Sequence, residues 1–150
     1  MNITAILNKL IETSKDGEFG FQSCAEQVKS SELRLLFSNR ASDCRRAAAQ
    51  LQDLVRELGD VAEDGGTAGG AAHRGWVAIK AKLASYTDEA VLEECERGEE
   101  VAIKRYRDAL DDTDLSGRAR ALVEAQFDGV KRNHAEVRTL RDQARRASAG

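Results

Sequence analysis

The stretch Cys24-Ala25-Glu26-Gln27-Val28-Lys29-Ser30-Ser31-Glu32-Leu33-Arg34-Leu35-Leu36-Phe37 decides the architecture. Upstream of the two serines, Ile3, Leu7, Leu10, Ser14, Gly17, Phe21, Cys24 and Val28 follow one another in steps of four and three. That spacing puts side chains on one stripe of a helix. Downstream the pattern resumes with Leu33, Phe37, Arg40, Cys44, Ala48, Leu51, Val55 and Leu58. Ser30-Ser31 interrupts the stripe, and a serine hydroxyl there accepts from the free amides of the next first turn. Gly59 stands where a left-handed C-terminal cap is wanted. Two long helices over about 2–29 and 32–58, parted by a two-residue break, fold back as an antiparallel hairpin.

Past this hairpin the composition changes. Six of the 12 glycines fall between Gly59 and Gly75, which reads as a solvated connection. It is no phosphate loop, because no Gly-Lys-Ser/Thr follows and no strand precedes. Trp76, Ile79 and Leu83 lie at helical spacing and predict a short amphipathic helix over about 71–83. His73, just before Arg74 and Trp76, reads with Trp76 as a packing and hydrogen-bond anchor of this crossover, which spans 59–86. Thr87 followed by Asp88 and Glu89 starts a third helix, about 87–110, with acids at the positive end of its dipole. Its seam is Leu92, Cys95, Glu99, Ala102, Tyr106 and Ala109. After the turn Asp111-Asp112-Thr113-Asp114, a fourth helix over about 115–146 carries Ala119, Val123, Gln126, Val130, Asn133, Val137, Leu140 and Ala144. Arginines 138, 141, 145 and 146 load its C-terminal half, again the favourable sign. No stretch alternates with period two long enough for a strand, so the expected class is all-α, one domain over 1–150.

Composition agrees. About half of the 150 residues are Ala, Glu, Lys, Leu or Arg, and there is no proline. A 41% apolar content and a net charge of −3 disfavour disorder and a nucleic-acid binder driven by bulk charge. The apolar runs are too short to span a membrane. The start, Met1-Asn2-Ile3-Thr4, has no basic region followed by an apolar one, so no signal peptide is expected. Three cysteines without a CxxC fit a reducing cytoplasm better than a disulfide framework.

Two hairpins joined by a long crossover make the ferritin-like four-helix bundle rather than the simple up-and-down one. Leu10-Ile11-Glu12-Thr13-Ser14-Lys15-Asp16-Gly17, His73-Arg74-Gly75-Trp76 and Glu93-Glu94-Cys95-Glu96-Arg97-Gly98-Glu99 resemble a bacterial family of uncharacterised ferritin-like bundle proteins. The resemblance runs through nearly the whole chain. It implies the fold and side-by-side assembly, and brings no established activity.

Polar residues interrupt the seams at mid-height. Glu18 lies beside Gly17, Glu99 beside Gly98, and Gln126, Asn133 and His134 fall on the fourth helix. Folding each hairpin about its turn brings these five toward one level, with Asp43 and Cys44 on the second helix. Ferritin-like di-metal centres take one Glu from each of two helices and a Glu-x-x-His from each of the other two. Glu18 and Glu99 match the single glutamates, and His134 matches one imidazole. Lys131 stands where the carboxylate before His134 belongs, and the second helix has no histidine, so a complete two-metal set is absent.

Two readings follow. In the first the layer is a hydrogen-bonded polar network in a non-enzymatic, cytoplasmic, self-associating bundle that needs no cofactor. In the second Glu18, Glu99 and His134, with Asp43 or Cys44, hold one iron or manganese ion. The cysteines 24, 44 and 95 read as small seam residues, and Glu93, Glu94, Glu96 and Glu100 as a solvated acidic face open to cations or a basic partner. Ile6, Ile11, Leu35, Leu36, Ile79 and Ile103 exceed a two-in-seven stripe, and an apolar remainder at the surface predicts a homodimer or larger symmetric oligomer. No nucleic-acid or membrane partner is expected.

Overall fold

The computed structural model describes residues 2–64 and 87–149. They form four helices: α1 (Ile3–Gln27), α2 (Ser31–Glu57), α3 (Asp88–Asp111) and α4 (Gly117–Ala149). The helix starts follow local side-chain chemistry. Asn2 Oδ1 accepts from the Ala5 amide at 2.8 Å, Ser30 Oγ from Leu33 at 3.2 Å, and Thr87 Oγ1 from Ala90 at 3.2 Å. Each such cap is worth about 1 kcal/mol. At the far end of α2, Gly59 adopts a φ of +82°, a left-handed conformation that a residue with a Cβ enters only at a cost.

One cap reaches across the molecule. The Asp88 carboxylate, on the first residue of α3, accepts from the backbone amides of Lys29 at 2.8 Å and Ser30 at 3.1 Å. It thereby fastens the α1–α2 turn to the start of the second hairpin.

The core divides into two apolar blocks. One joins the N-terminal half of α1 (Leu7, Leu10) to the C-terminal ends of α2 (Leu51, Val55) and α3 (Tyr106) and to the start of α4 (Val123). The other joins Cys24 and Val28 of α1 to Phe37, Val91, Leu92, Cys95 and Val137. The ends that meet give the topology: α1 and α4 run one way, α2 and α3 the other. Parallel α2 and α3 require the chain to travel the bundle's length between them, as the ferritin-like fold does. The crossover from 65 to 86, with the expected helix over 71–83 and the anchor His73 and Trp76, lies outside the described residues. Among the described residues there is no strand, and no helix is long and apolar enough to cross a membrane.

The apolar excess resolves mostly inward. Ile6, Ile11 and Ile103 are buried, and Leu36 packs against the second block. The helices use a stripe wider than two positions in seven, as globular helices do. Ile79 is outside the described residues. Leu35, 64% exposed, is the one member of that set left at the surface among them.

Candidate functional site

The acidic positions of α3 do not form a solvated face. Glu93 pairs with Arg145 of α4 at 3.0 Å and Glu96 with Arg141 of α4, Glu94 pairs with Arg97 of its own helix at 2.9 Å, and Glu100 lies 3.7 Å from His134 Nε2. Antiparallel packing produces this ladder, because each step toward the C-terminus of α3 meets a step toward the N-terminus of α4. Arginines placed well for the helix dipole therefore also serve as partners between helices. Glu96 and Glu100, one helical turn apart, point together at the His134 ring.

Glu96, Glu100 and His134 each offer a donor atom, and the three lie within 4.8 Å of one another. Glu96 is only 8% exposed; one carboxylate oxygen meets Arg141, while its Oε2 is buried without a partner. His134 Nε2 is likewise buried with no hydrogen bond. Glu100 is largely exposed and opens the cluster to solvent. Two buried polar atoms without hydrogen bonds in one cluster are costly unless something satisfies them. A cation would do so, and two carboxylates with an imidazole suit metals such as iron or manganese.

Among the described residues, the donor atoms of Glu18, Glu99 and His134 do not form a group within 4.8 Å of one another. Glu18 is drawn to Arg45 of α2 at 3.6 Å. Glu99 lies 60° around α3 from Glu96 and faces the bundle interior, while His134 addresses the neighbouring face. Asp43 is committed to Arg40 and Arg46. Gln126 accepts from the Tyr106 hydroxyl at 2.9 Å and donates to the Ala47 carbonyl at 3.2 Å, so it ties three helices. Lys131 lies over the Phe127 ring, 4.6 Å from its centre, and leaves the His134 cluster free of its charge. The sequence marks Glu96 and Glu100 only as members of an acidic face, because acids on a polar face are ordinary. The signal available was their four-residue spacing opposite a basic stretch at matching spacing.

A second feature lies between the two apolar blocks: a cavity of about 620 Å³ whose wall includes Gly17, Cys24, Cys44, Cys95, Glu99 and Asn133. A volume of this size is that of a ligand pocket. Glu99 is 6% exposed, and its Oε1 has no partner. Burial pushes its pKa up to about 8; Arg40 opposes the shift, and Glu96 and Glu136 add to it. Burial likewise pushes the Cys44 thiol up to about 12, with Asp43, Glu99 and Glu18 adding to the effect. Cys95 is held well above the ordinary thiol value by burial, with Cys24 and Glu99 adding to the effect. The cysteines are free, as expected of seam residues.

With this geometry the chain can be set beside known proteins. No curated protein matches it. In fold it is similar to the bacterioferritin-related protein from Bacteroides fragilis, described as a dodecameric thioferritin. The TM-score is 0.71 at 16% identity, covering 99% of this chain and 92% of that one. At that identity the likeness is one of fold. The sequence pattern of the family described as Domain of unknown function (DUF2383) matches residues 2–112. That span takes in α1, α2 and α3, with Glu96, Glu99 and Glu100, and stops short of α4 and His134. The chain belongs to the family described as Domain of unknown function (DUF2383).

Proposed function

We propose that this protein binds one hard divalent cation, iron or manganese, at Glu96, Glu100 and His134. The observation that carries the reading is that donor atoms of Glu96, Glu100 and His134 lie within 4.8 Å of one another, with Glu96 Oε2 and His134 Nε2 buried and making no hydrogen bond. Closing the donors onto an ion asks only for side-chain adjustment, since ligand distances of about 2.0–2.2 Å require oxygens and nitrogen roughly 3 Å apart. The Glu96–Arg141 pair fixes one carboxylate oxygen and leaves the other for the ion, so the arginine acts as a positioning group. One ion rather than two fits the helices, because at this level α2 presents Arg40 and Asp43 and no histidine.

Calorimetric titration with Mn2+ tests this. One ion per chain is expected to bind, with affinity falling at least tenfold in His134→Ala and in Glu100→Gln. Equal weak binding in all three proteins would overturn the reading.

We also infer that the chain self-associates in the cytoplasm as a homo-oligomer. The exposed Leu35 and Val101 support this, as does the dodecameric assembly named for the Bacteroides fragilis protein. Light scattering with reductant present tests it, and a clean monomer at micromolar concentration refutes it.

A further inference from the structure

We propose that Cys24, Cys44 and Cys95, with Glu99, form a second and separate site that takes a thiophilic d10 cation into the cavity at mid-bundle. These are all three cysteines of the chain, and three different helices deliver them to one cavity wall. Small residues in a core can gather by chance, so convergence alone would be a packing detail. The carboxylate makes the difference. Glu99 follows Cys95 by one helical turn, belongs to the same cavity wall, is 6% exposed, and holds a buried carboxylate oxygen without a partner. A bound cation would satisfy a buried orphan oxygen in the wall that also carries the three thiols.

Proximity is shown in two further ways. Cys24 acts electrostatically on Cys95, and Glu99 acts on both Cys95 and Cys44. Gly17 of α1 faces Cys44 so closely that a methyl group there would come within 2.8 Å of its Sγ. The sulfurs are not yet clasped. Among the described residues, the group whose donors already lie within 4.8 Å of one another is the one at His134. An ion entering the cavity draws the thiols in by rotation about χ1, for which the 620 Å³ volume leaves room.

Soft sulfur donors select the ion: three thiolates and a carboxylate suit Zn2+, Cd2+ or Cu+ and are poor ligands for Mn2+. Each sulfur that binds loses its proton to solvent as the S–metal bond replaces S–H, with no change of oxidation state. The site does not rest on the Glu96–Glu100–His134 reading, and the two are separable by metal and by variant.

The experiment is titration of the reduced, metal-free full-length protein with Cd2+, followed by the sulfur-to-cadmium charge-transfer absorption. One Cd2+ per chain is expected to produce the band. Cys44→Ala is expected to weaken it at least tenfold, and Glu99→Gln to weaken it several-fold. His134→Ala should leave it unchanged. Gly17→Ala, which crowds Cys44 without removing a donor, is expected to shift the titration toward weaker binding. Circular dichroism reports whether each variant folds, and Glu99→Gln, which removes a buried ionisable group, keeps the test informative if a cysteine variant does not. No band in the folded wild-type protein, or a band of equal strength in Cys44→Ala and Glu99→Gln, would overturn the proposal. Loss of Mn2+ binding in His134→Ala bears only on the other site.

Discussion

Glu99→Gln should turn a pH-sensitive bundle into a pH-tolerant one. Raising a buried carboxyl from its ordinary 4.5 to about 8 makes its ionisation roughly 4–5 kcal/mol harder in the fold than in the unfolded chain, at about 1.4 kcal/mol per pH unit. The folded state holds this proton more tightly than the unfolded state. Stability from it is therefore fully present below pH 4.5 and is lost as pH rises through about 8. Between pH 5 and pH 9 the loss comes to roughly 4 kcal/mol, or about 10 °C in Tm for a domain of this size. The groups facing Glu99 are Arg40 of α2, Glu96 on its own helix and Glu136 of α4. Arg40 gives limited relief, because it is already paired with Asp43 and Glu136. Glutamine resembles the protonated acid in shape and does not ionise. The two proteins should melt within a few degrees of each other at pH 5, and the variant about 10 °C higher at pH 9. Thermal melts by circular dichroism, with chelator present to strip both proposed metal sites, measure this. Parallel Tm–pH profiles would refute the assignment of a buried neutral carboxyl. A variant less stable at pH 9 would show instead that Glu99 is ionised and paired with Arg40.

Two further outcomes follow from single contacts. Asp88→Ala removes both acceptors that hold the α1–α2 turn to α3 and should cost about 2–3 kcal/mol in urea unfolding at neutral pH; a change under about 0.5 kcal/mol would mean the turn holds itself. Gly17→Ala gains about 1 kcal/mol of helix propensity but crowds Cys44 Sγ, so it should destabilise the wild type by about 1 kcal/mol and stabilise a Cys44→Ala background by as much. A double-mutant cycle without coupling refutes that contact.

The sequence by itself determined the helices, their ends and the order in which they pair. Those depend on interactions over a few residues: the four-three apolar spacing of α1 and α2, the hydroxyls of Ser30 and Thr87 that cap the next turn, and the left-handed turn at Gly59. The parallel relation of α2 and α3 was equally legible, because a long connection between two hairpins allows it and a short one does not. What only the tertiary structure decided is which way each polar side chain faces. One residue along a helix is a rotation of 100°, so Glu96 with Glu100 and Cys95 with Glu99 belong to adjacent faces of the same two turns. The packing of the whole bundle sets that rotation, and it turned Glu96 and Glu100 toward His134 and Glu99 into the cavity. Glu18 lay at the expected height, yet the nearest cation, Arg45, claimed it. Height along an axis is written in local spacing. Azimuth is a property of four helices packed together, and binding sites depend on azimuth.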